Sequence, residues 1–371
     1  MKKSVVWLVL ALVLCVYSEL YGQNTGNPAI RFKTYKCIDS QGIGTEAFRI
    51  LVPEGWQFDG GLRWRLDNPG IPVEASFRVW NPQGSEVFEV FPNLPFFWTN
   101  NQMTLSMFPP GSRYFGNAVG SPVGALDALR QIVLPRFRSN APGLRIVKQE
   151  HLPDLAGALG RSAQSVPGVM SVQTDGAKMR IEYNQRGSVI EEEIYCVVAS
   201  QTYQIQSMYG PTANTNWTVD PIFSFRAEKG RLDANARLFQ TIAYSFTLDL
   251  QWFNKYNQLV YYLIQQQIQR IHSIGEISRI LSQTHNEISD IMMQSYNERQ
   301  AVNDRIADKF SQYVRGIDKY YDPVNQKAVE LPTGYDNAWT NGIGDYIVSD
   351  SPSYNPNVES NQNWQRMKRQ N

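Results

Sequence analysis

The most distinctive pattern along the chain is a proline-free window of helical periodicity in its C-terminal half. No proline occurs between Pro221 and Pro323, although the chain has 20 prolines. From 250 to 320, apolar residues recur every three or four positions, which favours an α-helix. The 3-4 alternation typical of a coiled-coil seam is most regular at Ile274, Ile277, Leu281, Ile288 and Ile291. We therefore predict a long coiled-coil-like arm over 250–320, either one long helix or a hairpin.

Such an arm would need a partner, because an unpaired apolar seam is exposed to water. The partner is another copy of the chain, the same chain folded back, or a different protein. Self-association or a protein partner is therefore the interaction that the pattern predicts.

The part of the chain before the arm alternates strand and helix signals. Residues 75–80 and 86–91 alternate apolar and polar positions around an Asn-Pro-Gln-Gly turn, which predicts a β-hairpin. Ser121-Pro122 is a helix start with an apolar face behind it, and 232–244 has the pattern of a closing helix. We predict an α+β domain over 30–247, an antiparallel sheet flanked by helices.

The tail, 321–371, has two short apolar runs on either side of Asn341-Gly342, a pair typical of a tight β-hairpin turn. A hairpin this small is not stable alone, so we expect it to dock on the arm or on the front domain. The aromatic residues of the tail either pack in the contact by which the hairpin docks or present stacking faces to a glycan. They are Tyr335, Trp339, Tyr346, Tyr354 and Trp364.

The N-terminus, 1–22, is predicted to be a signal peptide. Met1-Lys2-Lys3 is basic, and the apolar run over 4–17 is too short to span a bilayer comfortably. Cleavage after Ser18 or Gly22 is compatible with the pattern, while an uncleaved anchor and lipidation of Cys15 are the alternatives. The prediction is an exported protein, periplasmic, cell-surface or extracellular, with no later segment apolar enough to cross a membrane.

Charge and motifs exclude several function classes. With 35 Lys and Arg against 34 Asp and Glu, the chain lacks the basic surplus of a nucleic-acid binder. His272 and His285 are 13 residues apart, which does not fit a metal pair on a helix, and His151 lies in a turn. No nucleophile motif or phosphate-binding loop occurs, so we predict no catalytic residue, no metal and no cofactor.

Two sets of residues are candidates for other roles. Cys37 and Cys196 form an even pair in an exported chain, so they are either a disulfide or two separate buried thiols. The stretch 88–114 is dense in aromatic residues and prolines. It either lines a pocket or partner groove, since aromatics and Met are enriched at interfaces, or belongs to the core. The candidates are Phe96, Phe97, Trp98, Met103, Met107 and Phe108.

The order of elements over 32–247 resembles the PsbP/Mog1-like domain. The features are a strand running into Pro53-Glu54-Gly55-Trp56, a middle helix, a strand led by Pro142-Gly143, long antiparallel strands, and a helix ending near Ser245-Phe246. The resemblance implies an α+β sandwich. It implies no catalytic residue, because members of that group mostly bind or assemble.

Together these patterns predict an exported, non-catalytic interaction or scaffold protein that assembles through its helical arm. The alternative is a carrier of a small-molecule or lipid-like ligand that uses the aromatic region 88–108. A hydrolase is the third possibility, and it lacks a nucleophile and base constellation in the sequence.

Overall fold

The computed structural model describes residues 29–65, 68, 71–153, 156, 169–207, 210–265, 317–332, 335–358 and 362–370. Most of these residues are in β-strands. The strands are β1 (Ile30–Ile38), β2 (Glu46–Pro53), β3 (Gln57–Trp64), β4 (Val73–Trp80), β5 (Val87–Phe91), β6 (Leu94–Thr99), β7 (Arg113–Tyr114), β8 (Asn117–Val119), β9 (Arg145–His151), β10 (Val169–Gln185), β11 (Ser188–Ser207), β12 (Gly210–Glu228), β13 (Thr247–Leu248), β14 (Ile317–Asp322), β15 (Lys327–Pro332), β16 (Asn337–Thr340), β17 (Tyr346–Ser349), β18 (Gln365–Arg366) and β19 (Lys368–Gln370).

The helices of the described residues are short. The middle one is continuous from 125 to 137 but changes pitch, with a π-helical turn at Leu129–Val133 between two α-helical pieces. The α-helices are α1 (Gln102–Met107), α2 (Ala125–Ala128), α3 (Leu134–Phe137), α4 (Ala236–Tyr244) and α5 (Leu250–Gln265).

The largest sheet has ten strands and carries a core on each face. Its main path runs β3-β4-β5-β12-β11-β10-β9, and β6, β7 and β8 join it at β12. Alternate residues of β11 show the two faces, because Ile194 and Cys196 pack under the π turn while Tyr195 packs on the opposite side. A shift of register beside Asp220-Pro221 breaks the alternation in β12, as expected where a proline interrupts a ladder.

The C-terminal tail completes a second sheet of six strands, ordered β13-β2-β1-β17-β16-β18. β1 lies between the front strand β2 and the tail strand β17. A third sheet, β15-β14-β19, is built from the tail alone. Phe32 and Leu51 of the front strands are buried with Tyr320, Leu331 and other tail residues, so the front part and the tail share a core.

The first turn of α5 is fixed to the front strands by one buried carboxylate. Asp39 is 2% exposed. It accepts hydrogen bonds from the indole nitrogens of Trp64 (2.9 Å) and Trp252 (2.8 Å). It also accepts from the backbone N–H groups of Gly42 (3.0 Å) and Ile43 (2.9 Å). One side chain thus joins the loop after β1, the end of β3 and the start of α5.

A second buried polar network joins the middle helix to the large sheet. Glu192 is fully buried and accepts from Nε of Arg138 over 2.7 Å and from the hydroxyl of Tyr183 over 3.0 Å. Arg138 also donates to Glu89 over 2.6 Å. Burial alone would raise the pKa of Glu192, but Arg138 and then Arg226 oppose it, and the net shift of the pKa is downward. Burial, followed by the charge of Glu192, raises the pKa of Tyr183 to about 12, so its hydroxyl keeps the proton that it donates.

The predicted fold class, an α+β sandwich followed by a long helical arm over 250–320, is wrong. The described part of the chain is mainly β, and the helix that begins at Leu250 is described as far as Gln265. The prediction also continued the arm to 320, but Ile317–Asp322 is strand β14, paired with β15 and β19. Asp322 accepts from the backbone of Val324 and Asn325 and so closes the turn between β14 and β15. Residues 266–316, which include Ile274, Ile277, Leu281, Ile288 and Ile291, lie outside the described residues.

Several local predictions are confirmed. The alternating runs at 75–80 and 86–91 pair as β4 and β5. A helix follows Ser121-Pro122, but it begins at Ala125 with Gly124 at its N-cap, so Ser121 does not cap it. The two runs around Asn341-Gly342 pair as β16 and β17 and dock on β1. The predicted signal peptide, 1–22, lies outside the described residues. Among those residues, none of the helices combines the length and apolarity that a membrane crossing needs.

Candidate functional site

A cleft lined by three arginines lies where the short strands meet the middle helix. Its volume is about 420 Å³, within the range typical of small-molecule sites. We call it the arginine cleft. Its lining residues are Arg65, Asn93, Leu94, Pro95, Phe96, Arg113, Gly116, Ala118, Gln131, Ile132, Pro135 and Arg136.

The apolar floor of the arginine cleft is held by ring stacking. Phe96 of β6 stacks on Trp217 of β12, with ring centroids 4.0 Å apart and planes at 12°. The indole N–H of Trp217 donates to the carbonyl of Gly120 over 2.8 Å, which fixes Trp217 in turn. Leu94 is buried beside it. The floor is therefore formed before any ligand arrives.

The middle helix supplies one wall through its π-helical turn. Gln131 and Ile132 belong to that turn, and Pro135 and Arg136 follow in α3. A π turn holds one more residue than an α turn, so it changes the direction of the side chains around it. Such turns occur frequently at functional sites.

The opposite wall combines the β7–β8 hairpin with the end of β3. Arg113 and Gly116 belong to the hairpin, and the Arg113 guanidinium donates to the Gly116 carbonyl over 3.0 Å. Arg65 follows β3, and its guanidinium lies 3.9 Å from the carboxylate of Glu74. Asn68 donates to Asn117 over 2.9 Å, which ties the loop after β3 to β8. The walls are thus linked by hydrogen bonds of their own.

The charges that line the arginine cleft all have one sign. Every ionisable residue among the lining residues is an arginine, and a guanidinium keeps its charge at all physiological pH values. Its planar fork matches carboxylate and phosphate groups. The cleft thus combines three positive charges with an apolar floor. This arrangement suits a ligand that has an anionic group on an apolar body.

The predicted interaction residues do not form a single surface. Phe96 lines the arginine cleft, whereas Phe97 is buried against Tyr114 at 4.4 Å. Trp98 and Phe108 are half-buried. Met103 and Met107 lie on α1 and are 60% and 64% exposed. Sequence reasoning found the floor of the cleft but missed all three arginines, whose positions 65, 113 and 136 share no spacing.

The aromatic residues of the tail are mostly core residues. Tyr335, Trp339, Tyr346 and Trp364 are each less than 9% exposed, and Tyr354 meets Trp339 edge-on at 5.4 Å. The positions of these residues therefore fit the prediction that they dock the tail on the rest of the protein. They do not form an exposed face on which a glycan could stack.

Cys37 and Cys196 are free thiols rather than a disulfide. They lie in different cores, Cys37 between the two larger sheets and Cys196 under the middle helix. The even count of cysteines suggested the bridge, but the large sheet separates the two side chains.

Cys196 and His151 both pair with Ala177 of β10, the strand between theirs, and Asp175 is near enough to act on the Cys196 thiol. By residue type this set resembles a nucleophilic triad. His151 Nδ1 is 3.5 Å from Asp175 Oδ1. However, the Cys196 thiol is fully buried and donates to the Ala125 carbonyl over 3.5 Å. Burial, and then the charge of Asp175, raises its pKa. A thiol that stays protonated is a poor nucleophile, and Asp175 caps the helix by accepting from Ala125 N–H over 2.7 Å.

In a chain beginning at Gln23, both thiols should resist a thiol reagent until denaturant is added, because each is buried and each pKa is raised by burial. Two thiols should then titrate whether or not reductant is present. Titration of two thiols only after reduction would contradict the structure, and so would rapid reaction of Cys196 in the native protein. Within the described residues, no cluster of His, Cys, Asp or Glu is arranged to hold a metal ion.

Comparisons with known proteins do not assign the chain to a family. No family model matches the chain, and no curated protein matches it. A crystal structure of a protein from Bacteroides thetaiotaomicron VPI-5482 is similar at 11% identity, with a TM-score of 0.20, and covers 81% of this chain and 85% of that chain. At that TM-score the similarity supports no inference about the fold or the function of this chain. The resemblance of 32–247 to the PsbP/Mog1-like domain stays a prediction.

Proposed function

We propose that this protein is an exported binding protein, acting in the cell envelope or outside the cell, whose arginine cleft takes a small anionic ligand. The ligand class is a phosphate or carboxylate group on an apolar body. The observation that carries the proposal is the convergence of Arg65, Arg113 and Arg136 on one preformed cleft whose lining includes no carboxylate. The basic, then apolar N-terminus supports export.

The chemistry of the lining favours binding over reaction. Its side chains offer positive charge, amide groups and apolar surface, which orient and hold an anion. The site thus supports the ligand-carrier alternative, since Phe96 and its neighbours belong to the aromatic region 88–108. Assembly through a helical arm is not part of this proposal.

Calorimetric titration with three probes tests the function. Phenyl phosphate should bind more tightly than inorganic phosphate, because the phenyl ring gains contact with Leu94, Phe96 and Ile132. Phenol, which lacks the anion, should not bind measurably. Arg113→Gln and Arg136→Gln should each weaken phenyl phosphate binding by about tenfold or more, since a hydrogen bond to a charged group contributes about 1.5–3 kcal/mol.

Arg130→Gln is the matched control. Arg130 lies in the same π turn but is not among the lining residues, and it bonds to Gln149 on the surface. This variant should bind like the parent. The proposal is wrong if neither phosphate probe binds, or if Arg130→Gln weakens binding as much as Arg136→Gln.

A further inference from the structure

The hairpin beside the arginine cleft holds an exposed aromatic residue in an unfavourable backbone conformation. Tyr114 pairs with Asn117, so the turn has two central residues, Phe115 at φ 48° and Gly116 at φ 81°. A turn with two positive φ values favours Asn, Asp or Gly at its first central position. A bulky residue there is an outlier.

Burial does not account for Phe115. Its side chain is 53% exposed, and its ring meets that of Tyr114 edge-on at 4.6 Å. The turn between β10 and β11 has the same two-residue form, with Arg186 at φ 49° and Gly187 at φ 86°. In that turn the first central residue, Arg186, is polar and exposed. Phe115 has the same strained backbone but carries an apolar side chain. Residues with such strained backbones cluster at functional sites.

A second exposed apolar element is joined to this hairpin. Helix α1 has no buried residue, and its Met103 and Met107 project into solvent. Phe108, next to Met107, meets Tyr114 edge-on at 5.0 Å. The backbone N–H of Gly111 donates to the carbonyl of Val119 over 2.8 Å, which ties the chain after α1 to β8. We call Phe115, Met103 and Met107 the apolar rim.

We propose that the apolar rim and the arginine cleft together dock on an anionic lipid surface, with a headgroup phosphate in the cleft and the rim side chains in the acyl boundary. This inference rests on the proposed function. It identifies the anionic ligand of the cleft as the headgroup phosphate of a membrane lipid. Exposed apolar side chains beside cations fit the boundary between headgroups and acyl chains. The chain is near neutral, so attraction to anionic lipid has to come from a local cluster such as Arg65, Arg113 and Arg136.

Vesicle flotation of a chain beginning at Gln23 tests this docking, because the apolar run over 4–17 would itself bind lipid. The protein should float with vesicles of phosphatidylglycerol and phosphatidylcholine and not with vesicles of phosphatidylcholine alone. Phe115→Asn should lower the bound fraction by about tenfold, because it removes the rim's aromatic surface. Asn suits a positive φ, so the variant should unfold at the same or a higher temperature than the parent. Loss of binding in a variant that is at least as stable separates docking from folding.

The charge variants complete the test. Arg113→Gln and Arg136→Gln should also lose flotation, while Arg130→Gln should keep it. Binding of phenyl phosphate without any flotation would overturn lipid docking and leave the proposed function standing. Flotation that survives both Phe115→Asn and Arg136→Gln would overturn docking at this surface. Failure of both phenyl phosphate binding and flotation would overturn both proposals.

Discussion

Asp39→Ala should destabilise the protein by about 4 kcal/mol or more, because each buried donor left without an acceptor costs about 1–3 kcal/mol. Asp39 accepts four hydrogen bonds, two from indole nitrogens and two from backbone N–H groups. In the variant, the two indole donors lose the carboxylate in a buried site, and the two backbone donors lose it in half-buried residues. A loss of this size is a large part of the roughly 5–15 kcal/mol that stabilises a typical protein.

Urea unfolding followed by tryptophan fluorescence measures this loss. Asp59→Ala is the matched control, because the Asp59 side chain is 61% exposed and pairs with Arg78 on the surface. Its effect should stay below about 1 kcal/mol. Asp39→Asn should fall between the two variants, since it keeps one acceptor oxygen and adds a buried amide. Equal stability of Asp39→Ala and Asp59→Ala would contradict the four-bond geometry.

Arg138→Met should cost about 3–5 kcal/mol at neutral pH, because removing one partner of a buried ion pair leaves the other charge uncompensated. Glu192 is fully buried, and Glu89 also loses its short contact with Arg138. Arg78→Met, which breaks an exposed pair, is the control and should cost less than about 1 kcal/mol. Denaturant unfolding of both variants gives the comparison.

The pH dependence of this effect has a definite sign. In the parent protein the folded-state pKa of Glu192 lies below its ordinary value of 4.5. Its ion pair therefore stabilises the fold above pH 4.5, and this contribution is lost as the pH falls through the folded-state pKa. Without Arg138, the strongest influence that lowers the pKa of Glu192 is gone and Arg226 is left to oppose burial, so this pKa should rise. The deficit of Arg138→Met should then shrink on acidification, and a deficit that is constant with pH would contradict the account.

Local elements were predictable where one face of a strand or helix is buried. Residues 75–80 and 86–91 alternate because β4 and β5 each bury one face, and Asn341-Gly342 marks the turn between β16 and β17. Ile317–Asp322 misled the prediction, because it extends the 3-4 apolar pattern in sequence but pairs with β15 and β19. Pairing with strands distant in sequence decides such short segments, and a local pattern does not report it.

The candidate site was predictable only in part. Phe96 belongs to a conspicuous aromatic stretch, so its region was singled out. The three arginines come from the loop after β3, the β7–β8 hairpin and the middle helix, and only the packing of those elements brings them together. Glu192 stands in a run of three glutamates, Glu191-Glu192-Glu193, a pattern typical of a solvated strand end. Its burial depends on Arg138, which lies 54 residues away in the chain.

The arginine side-chain N–H resonances, observed during titration with phenyl phosphate, test the central claim most directly. The account predicts that the Nε–H signals of Arg65, Arg113 and Arg136 shift together and saturate, because each guanidinium faces the bound anion. Arg78 and Arg130, which lie outside the cleft, should not move. A uniform drift of all arginine signals, or saturable shifts confined to arginines outside the cleft, would contradict anion binding at this site.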